Sequence, residues 1–155
     1  DIMMVAKGIG GGFPLGAVLA TEDAASGMTA GTHGSTYGGN PLGCAVGCAV
    51  MDHVTDPEFL AEVNRKAGLL RQKLEGLIDG HPDVFEAVRG SGLMLGLKCK
   101  ATNMDVVNAG YDNQVITVPA ADNVIRLLPP LTLSDDDIAQ AVIRLDKAAT
   151  QVASP

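Results

Sequence analysis

The chain opens with Asp1-Ile2-Met3-Met4-Val5-Ala6-Lys7-Gly8-Ile9-Gly10-Gly11-Gly12-Phe13-Pro14-Leu15-Gly16-Ala17. Residues 2–6 are continuously apolar and read as a short buried strand, and residues 14–20 read as a second. Between them Lys7 enters a glycine-rich run. A lysine at a strand end projects from a rigid sheet toward a cleft. Taken on position alone, it is an ordinary lysine marking where a strand meets solvent. Lysine is also the side chain that forms Schiff bases with carbonyl compounds, and the glycines beside it let a flat cofactor approach the backbone. Gly8-Ile9-Gly10 begins like a dinucleotide fingerprint, but Phe13 stands where the third glycine belongs. With no Gly-Lys-Ser or Gly-Lys-Thr, a Walker loop is excluded.

Outward from this stretch, residues 27–39 are rich in Gly, Ser and Thr, carry His33, and read as an irregular loop. Asn40-Pro41 is a helix-start signal, and the helix is expected to run to about Val54. Its Gly43, Ala45, Gly47 and Ala49 make it slim enough for close packing. Asp56-Pro57 repeats the start signal. Leu60, Val63, Ala67, Leu70, Leu74 and Leu77 then form one apolar helical face that closes at Gly80. Strands are expected at 85–88 and 93–97 around a Gly90-Ser91-Gly92 turn, and at 115–118 and 124–128, with a short helix at 103–109. Pro129-Pro130 ends the last strand. Ser134 caps a final helix whose first turn holds Asp135, Asp136 and Asp137, where negative charge suits the helix dipole. Capping explains this triplet better than metal binding.

The 155 residues are 46% hydrophobic and 19% charged, which supports a packed core and argues against disorder. A formal net charge of −7 argues against a nucleic-acid binder. No stretch reads as membrane-spanning and no signal peptide is visible. Three cysteines are not a disulfide framework, so a reducing, cytoplasmic setting is expected. Cys44 and Cys48 share a helix face from which His53 points away, so a zinc site is set aside and both are read as small buried thiols. His33 is read as a polar loop residue and His81 as exposed. The chain opens one residue before an apolar strand, so it is expected to lack an upstream half. Residues 1–54 are read as the end of one domain and 55–155 as a small α/β domain.

Four stretches together resemble the class III aminotransferases, which depend on pyridoxal phosphate. They are residues 4–17; Gly34-Ser35-Thr36-Tyr37-Gly38-Gly39-Asn40-Pro41-Leu42; Arg89-Gly90-Ser91-Gly92-Leu93-Met94; and Asn123-Val124-Ile125-Arg126-Leu127-Leu128-Pro129-Pro130-Leu131. Within that family the likeness is greatest to the acetylornithine aminotransferases, and it covers essentially the whole chain. It implies the C-terminal portion of a fold type I transferase: the end of a large cofactor-binding domain followed by a small C-terminal α/β domain. It implies that Lys7 carries pyridoxal 5′-phosphate covalently and moves the substrate proton. Ser35 and Thr36 would bind the cofactor phosphate, Thr36 reaching the cofactor of the partner subunit in a homodimer with shared active sites. Arg126 would clamp a substrate carboxylate.

Outside that likeness, Thr36 reads as a loop threonine making a local turn bond. Arg126, inside an apolar run, reads as one half of an internal salt bridge or as an exposed edge-strand residue. Tyr37 replaces a frequent Phe, and Ala121 stands where glycine is common. The implied reaction passes an amino group from N-acetylornithine or a related ω-amine to 2-oxoglutarate, in arginine biosynthesis. The family's partner for the pyridine nitrogen, its ring-stacking aromatic and its main phosphate loop lie upstream, so the chain alone is expected to be inactive. Two alternatives remain. One is another enzyme of the same fold, such as an ornithine or 4-aminobutyrate aminotransferase, an aminomutase, a decarboxylase or a racemase. The other is a non-catalytic dimerisation module.

Overall fold

A computed structural model describes residues 1–154. The chain divides into two compact units, residues 1–60 and 61–155.

In the first unit, β1 (Ile2–Val5) and β2 (Ala17–Ala20) form an antiparallel ribbon with Ile2 opposite Ala20 and Val5 opposite Ala17. A single 3-10 turn, Lys7–Gly10, follows β1. Helix α1 (Pro41–Val54) begins as the sequence indicates: the Asn40 side chain accepts from the Gly43 N–H at 2.7 Å. Its buried residues are Gly43 and Gly47. A Cβ on Gly47 would lie 2.8 Å from Leu15 Cδ2, so α1 sits on the glycine loop because that helix face has no side chains. This geometry corrects two expectations. Cys44 and Cys48 are exposed, not buried, since the glycine face is the one that packs. The ribbon is also exposed, with Met4 at 79% and Val18 at 67%, because two strands alone cannot cover each other's faces.

Helix α2 (Pro57–Gly80) starts at Asp56, whose carboxylate accepts from the Glu58 N–H at 2.9 Å. The second unit stacks helices on one face of a four-stranded sheet. Its elements are β3 (Phe85–Ser91), β4 (Met94–Cys99), α3 (Asn103–Asp112), β5 (Val118–Ala120), β6 (Val124–Leu127) and α4 (Asp135–Ala153). Strand order is β3-β4-β6-β5, antiparallel throughout. Leu70, Leu74 and Leu77 of α2 join Leu95, Leu97, Ile125, Leu127, Val106, Ile138 and Leu145 in one core. Each fully buried aliphatic side chain contributes about 1.5–3 kcal/mol. Ser134 and Asp137 close a capping box on α4, and Asp135 also pairs with Arg65 of α2 at 2.6 Å.

Three details differ from the sequence reading. Gly90 and Ser91 belong to β3, and the hairpin turns at Gly92-Leu93. Gly90 has φ +103, and a Cβ there would lie 2.1 Å from Met94 O, so only glycine fits. The third strand of the sheet lies at 118–120 and not at 115–118: the Val115 N–H closes the end of α3 on Gly110 O, delaying the strand. Pro119 is tolerated there because β5 is an edge strand. His81 is not exposed. Its side chain is 14% accessible and bonds Asp146 Oδ1 at 2.8 Å, where the α2 terminus meets α4.

Candidate active site

Lys7 follows β1 after one intervening residue, Ala6, its side chain exposed and its backbone left-handed at φ +57. That conformation costs an ordinary L-residue about 1–2 kcal/mol. It is kept because Ala6 finishes the strand in extended geometry while residues 7–10 must wind into the 3-10 turn beneath α1. The amine has no ion-pair partner among the described residues. A Cβ on neighbouring Gly8 would meet no atom of the described residues within 4 Å, so the backbone beside Lys7 is uncrowded.

Ser35 and Thr36 lie in the exposed loop before α1. Ser35 lines a cleft of about 220 Å³ with Pro14, Leu15, Gly38, Gly39, Asn40 and Cys44 among its walls; Lys7 is not one of them. The Gly38 and Asn40 N–H groups close local turns on Ser35 O and Tyr37 O. Those of Ser35, Thr36, Tyr37 and Gly39 donate to no acceptor among the described residues, and neither hydroxyl is engaged. A loop with free N–H groups and hydroxyls is suited to an anion. Thr36 does not make the local turn bond that is its plain alternative.

Arg126 lies in the other unit, on β6. Its neighbours Ile125 and Leu127 are buried while Arg126 is exposed, the alternation a strand imposes. It is neither of the two plain alternatives. The strand is interior, between β4 and β5, and the guanidinium has no hydrogen-bond or ion-pair partner among the described residues. It lies opposite Gly96 on β4, which in turn lies opposite Arg89 on β3. Arg89 and Lys98 are both taken by Asp122, whose carboxylate Lys98 meets at 2.8 Å. The Lys98 ammonium and then the Arg89 guanidinium hold the Asp122 carboxyl below the ordinary carboxylate range. Three cations therefore stand on this part of the sheet, one on each of three neighbouring strands, and among the described residues Arg126 is the one left unpaired.

The sequence matches the class III aminotransferase family over residues 1–149. The chain belongs to the class III aminotransferases. Among curated relatives of the chain, the acetylornithine aminotransferase of Rhodobacter capsulatus is 70% identical over 152 residues, covering 98% of this chain and 39% of that protein. That of Mesorhizobium japonicum is 57% identical over 99% of the chain and 38% of its own length. The chain thus spans about two fifths of these relatives. Among solved structures, the acetylornithine aminotransferase from Elizabethkingia anophelis superposes with a TM-score of 0.86 at 32% identity, covering 97% of this chain and 41% of that one. The N-acetylornithine aminotransferase from Stenotrophomonas maltophilia gives 0.85 at 31% identity, covering 100% and 41%. The mixed α/β architecture is that of these class III enzymes.

Sequence reasoning missed three features of this chain. One is the left-handed backbone of Lys7, which no local residue preference signals. Another is the cluster of Arg89, Lys98 and Asp122 on the strands beside Arg126, which sequence distance hides. The Asp122-Asn123 pair between two apolar runs is a turn signal that would have pointed to them. The third is Thr117, whose buried hydroxyl has no hydrogen-bond partner among the described residues.

Proposed function

We propose that the complete protein transfers an amino group from N-acetylornithine, or a related ω-amino donor, to 2-oxoglutarate in arginine biosynthesis, using pyridoxal 5′-phosphate. Residues 1–54 are the end of its large domain and 55–155 its small domain. It works in the cytoplasm as a homodimer with shared active sites. The observation that carries this reading is Lys7: an unpaired, exposed amine held in a strained left-handed conformation at a strand end. Strain of this kind persists where surrounding structure enforces it, and such positions concentrate at functional sites.

The residues present fit the cofactor. Lys7 Nζ would hold it covalently, and the free N–H groups and hydroxyls of Ser35 and Thr36 would hold its phosphate. When bound, pyridoxal phosphate supplies an electron sink for a carbanion at the amino-bearing carbon. Released from that bond when the substrate amine takes its place, Lys7 Nζ would accept the proton from that carbon and hand it on to the cofactor. Arg126 binds a substrate carboxylate through its planar, two-pronged guanidinium and so orients that carbon. Ser35 lines a cleft that does not include Lys7, an arrangement that suits a site completed by a second subunit. The chain alone, lacking the upstream groups, is inactive.

The test is intact mass after adding pyridoxal phosphate and reducing with borohydride, on the full-length protein and on its Lys7→Ala variant. One stable adduct that disappears in the variant supports the reading. An adduct that survives Lys7→Ala refutes the lysine assignment. Product analysis with N-acetylornithine and 2-oxoglutarate separates transamination from racemisation, decarboxylation or amino migration. Turnover by the purified 155-residue chain would overturn its predicted inactivity.

A further inference from the structure

The tip of the β5–β6 hairpin is unusual. Asp122 and Asn123 are consecutive non-glycine residues with left-handed backbones, φ +58 and +51. Asp and Asn tolerate this region better than other residues, yet two in succession hold only where neighbours enforce them. The neighbours here are two separate sets of side-chain bonds. Asp122 is gripped by Arg89 of β3 and by Lys98 of β4. The Asn123 amide donates to Cys99 O and Ala101 O, both at 2.8 Å, and its carbonyl accepts from the Asn103 N–H at 2.8 Å. Asn103 answers by donating to Ala120 O and Val124 O, both at 3.1 Å, one on each strand of the hairpin. Thr102, at the N-cap of α3, makes no side-chain cap bond, so Asn123 satisfies the first N–H of that helix from outside it.

We propose that Asp122 and Asn123 are positioning residues for Arg126. They fix the register of β6 against β4 from the hairpin tip, and so keep the guanidinium on the open face of the sheet. The β4–β6 ladder is only four pairs long, Lys98–Val124 to Leu95–Leu127. A slip of one residue would turn Arg126 to the core side and expose Ile125 and Leu127. The same grip keeps the Asp122 carboxylate on Arg89 and Lys98 and away from Arg126, leaving that guanidinium free for an anionic ligand. The inference rests on the role proposed for Arg126.

The experiment uses the full-length, cofactor-loaded enzyme with Asn123→Gly, Asp122→Asn, Arg126→Ala and the double variant Asn123→Gly/Arg126→Ala. Glycine accepts the left-handed backbone, so Asn123→Gly removes the side-chain bonds without adding strain. Asn123→Gly and Asp122→Asn should each raise KM for the carboxylate substrate on the order of tenfold, with kcat within about twofold. In the Arg126→Ala background, Asn123→Gly should have no further effect on KM, a non-additivity that a merely structural role would not produce. Unchanged KM in both single variants, while Arg126→Ala raises it, overturns the positioning role and leaves the Arg126 assignment standing. Additive effects in the double variant overturn it too. Unchanged KM in Arg126→Ala removes the premise itself.

Discussion

Thr117→Val should stabilise the second unit. Thr117 is 3% exposed and its hydroxyl has no partner among the described residues. A buried hydroxyl without a partner costs about 1–3 kcal/mol. Valine keeps the branched shape, removes the orphan donor and adds apolar contact worth about 0.8 kcal/mol if the site accepts it. Imperfect fit offsets part of this, so a net gain of about 1–2 kcal/mol is expected. In a unit of this size that is roughly 5–10 °C in Tm. Urea unfolding of this chain followed by circular dichroism should show a higher midpoint with an unchanged slope. Thr117→Ser keeps the hydroxyl and loses the methyl, so it should fall below the parent by about 1 kcal/mol. A Thr117→Val protein less stable than the parent would refute the reasoning, because it would mean that the hydroxyl is satisfied.

Leu74→Ala, at a fully buried position on α2, should cost about 2–5 kcal/mol by the same urea assay. Gly90→Ala should destabilise more than Gly96→Ala in thermal melts, because at Gly90 a Cβ meets the fixed Met94 O at 2.1 Å on a backbone with φ +103, whereas at Gly96 it meets the Val124 Cγ1 methyl at 2.7 Å, which a side-chain rotation can relieve. Asp122 and Asp137 are both held below the ordinary carboxylate range, by Lys98 and Arg89 in one case and by the Ser134 N–H and hydroxyl in the other. A lowered folded-state value means that their stabilisation is fully present above the unfolded value near 4, and is lost as pH falls through the lower folded values. The urea midpoint should therefore hold from pH 7 to about 5 and drop below about 4, with a shallower drop in Asp122→Asn and Asp137→Asn. In the isolated native chain, a thiol reagent should label Cys44 and Cys48 quickly and Cys99 only on unfolding, since Cys99 is buried and its thiol is pushed up by that burial.

Local chemistry determined a good deal of this protein. Helix starts at Asn40-Pro41, Asp56-Pro57 and Ser134 are written in residues that bond their own backbone, so they need no distant partner. The apolar face of α2 follows from the helix period, whereas Lys7, Ser35, Thr36 and Arg126 stand out only through the family resemblance that their motifs carry. Burial was another matter, because it depends on what else is present. The apolar run 2–6 is strand-forming by composition, yet Ile2, Met3 and Met4 stay exposed. Cys44 and Cys48 look like core residues, but α1 turns its glycines inward because only they allow Leu15 so close. Pairings across long sequence distances were also invisible. Arg89 and Asp122 meet over 33 residues and His81 and Asp146 over 65. That Arg126 is unpaired on an interior strand is a fact of sheet order, which alternation along one strand cannot specify. Sequence determines which face a side chain can take relative to its neighbours; only the assembled sheet decides which face is covered and which charges find each other.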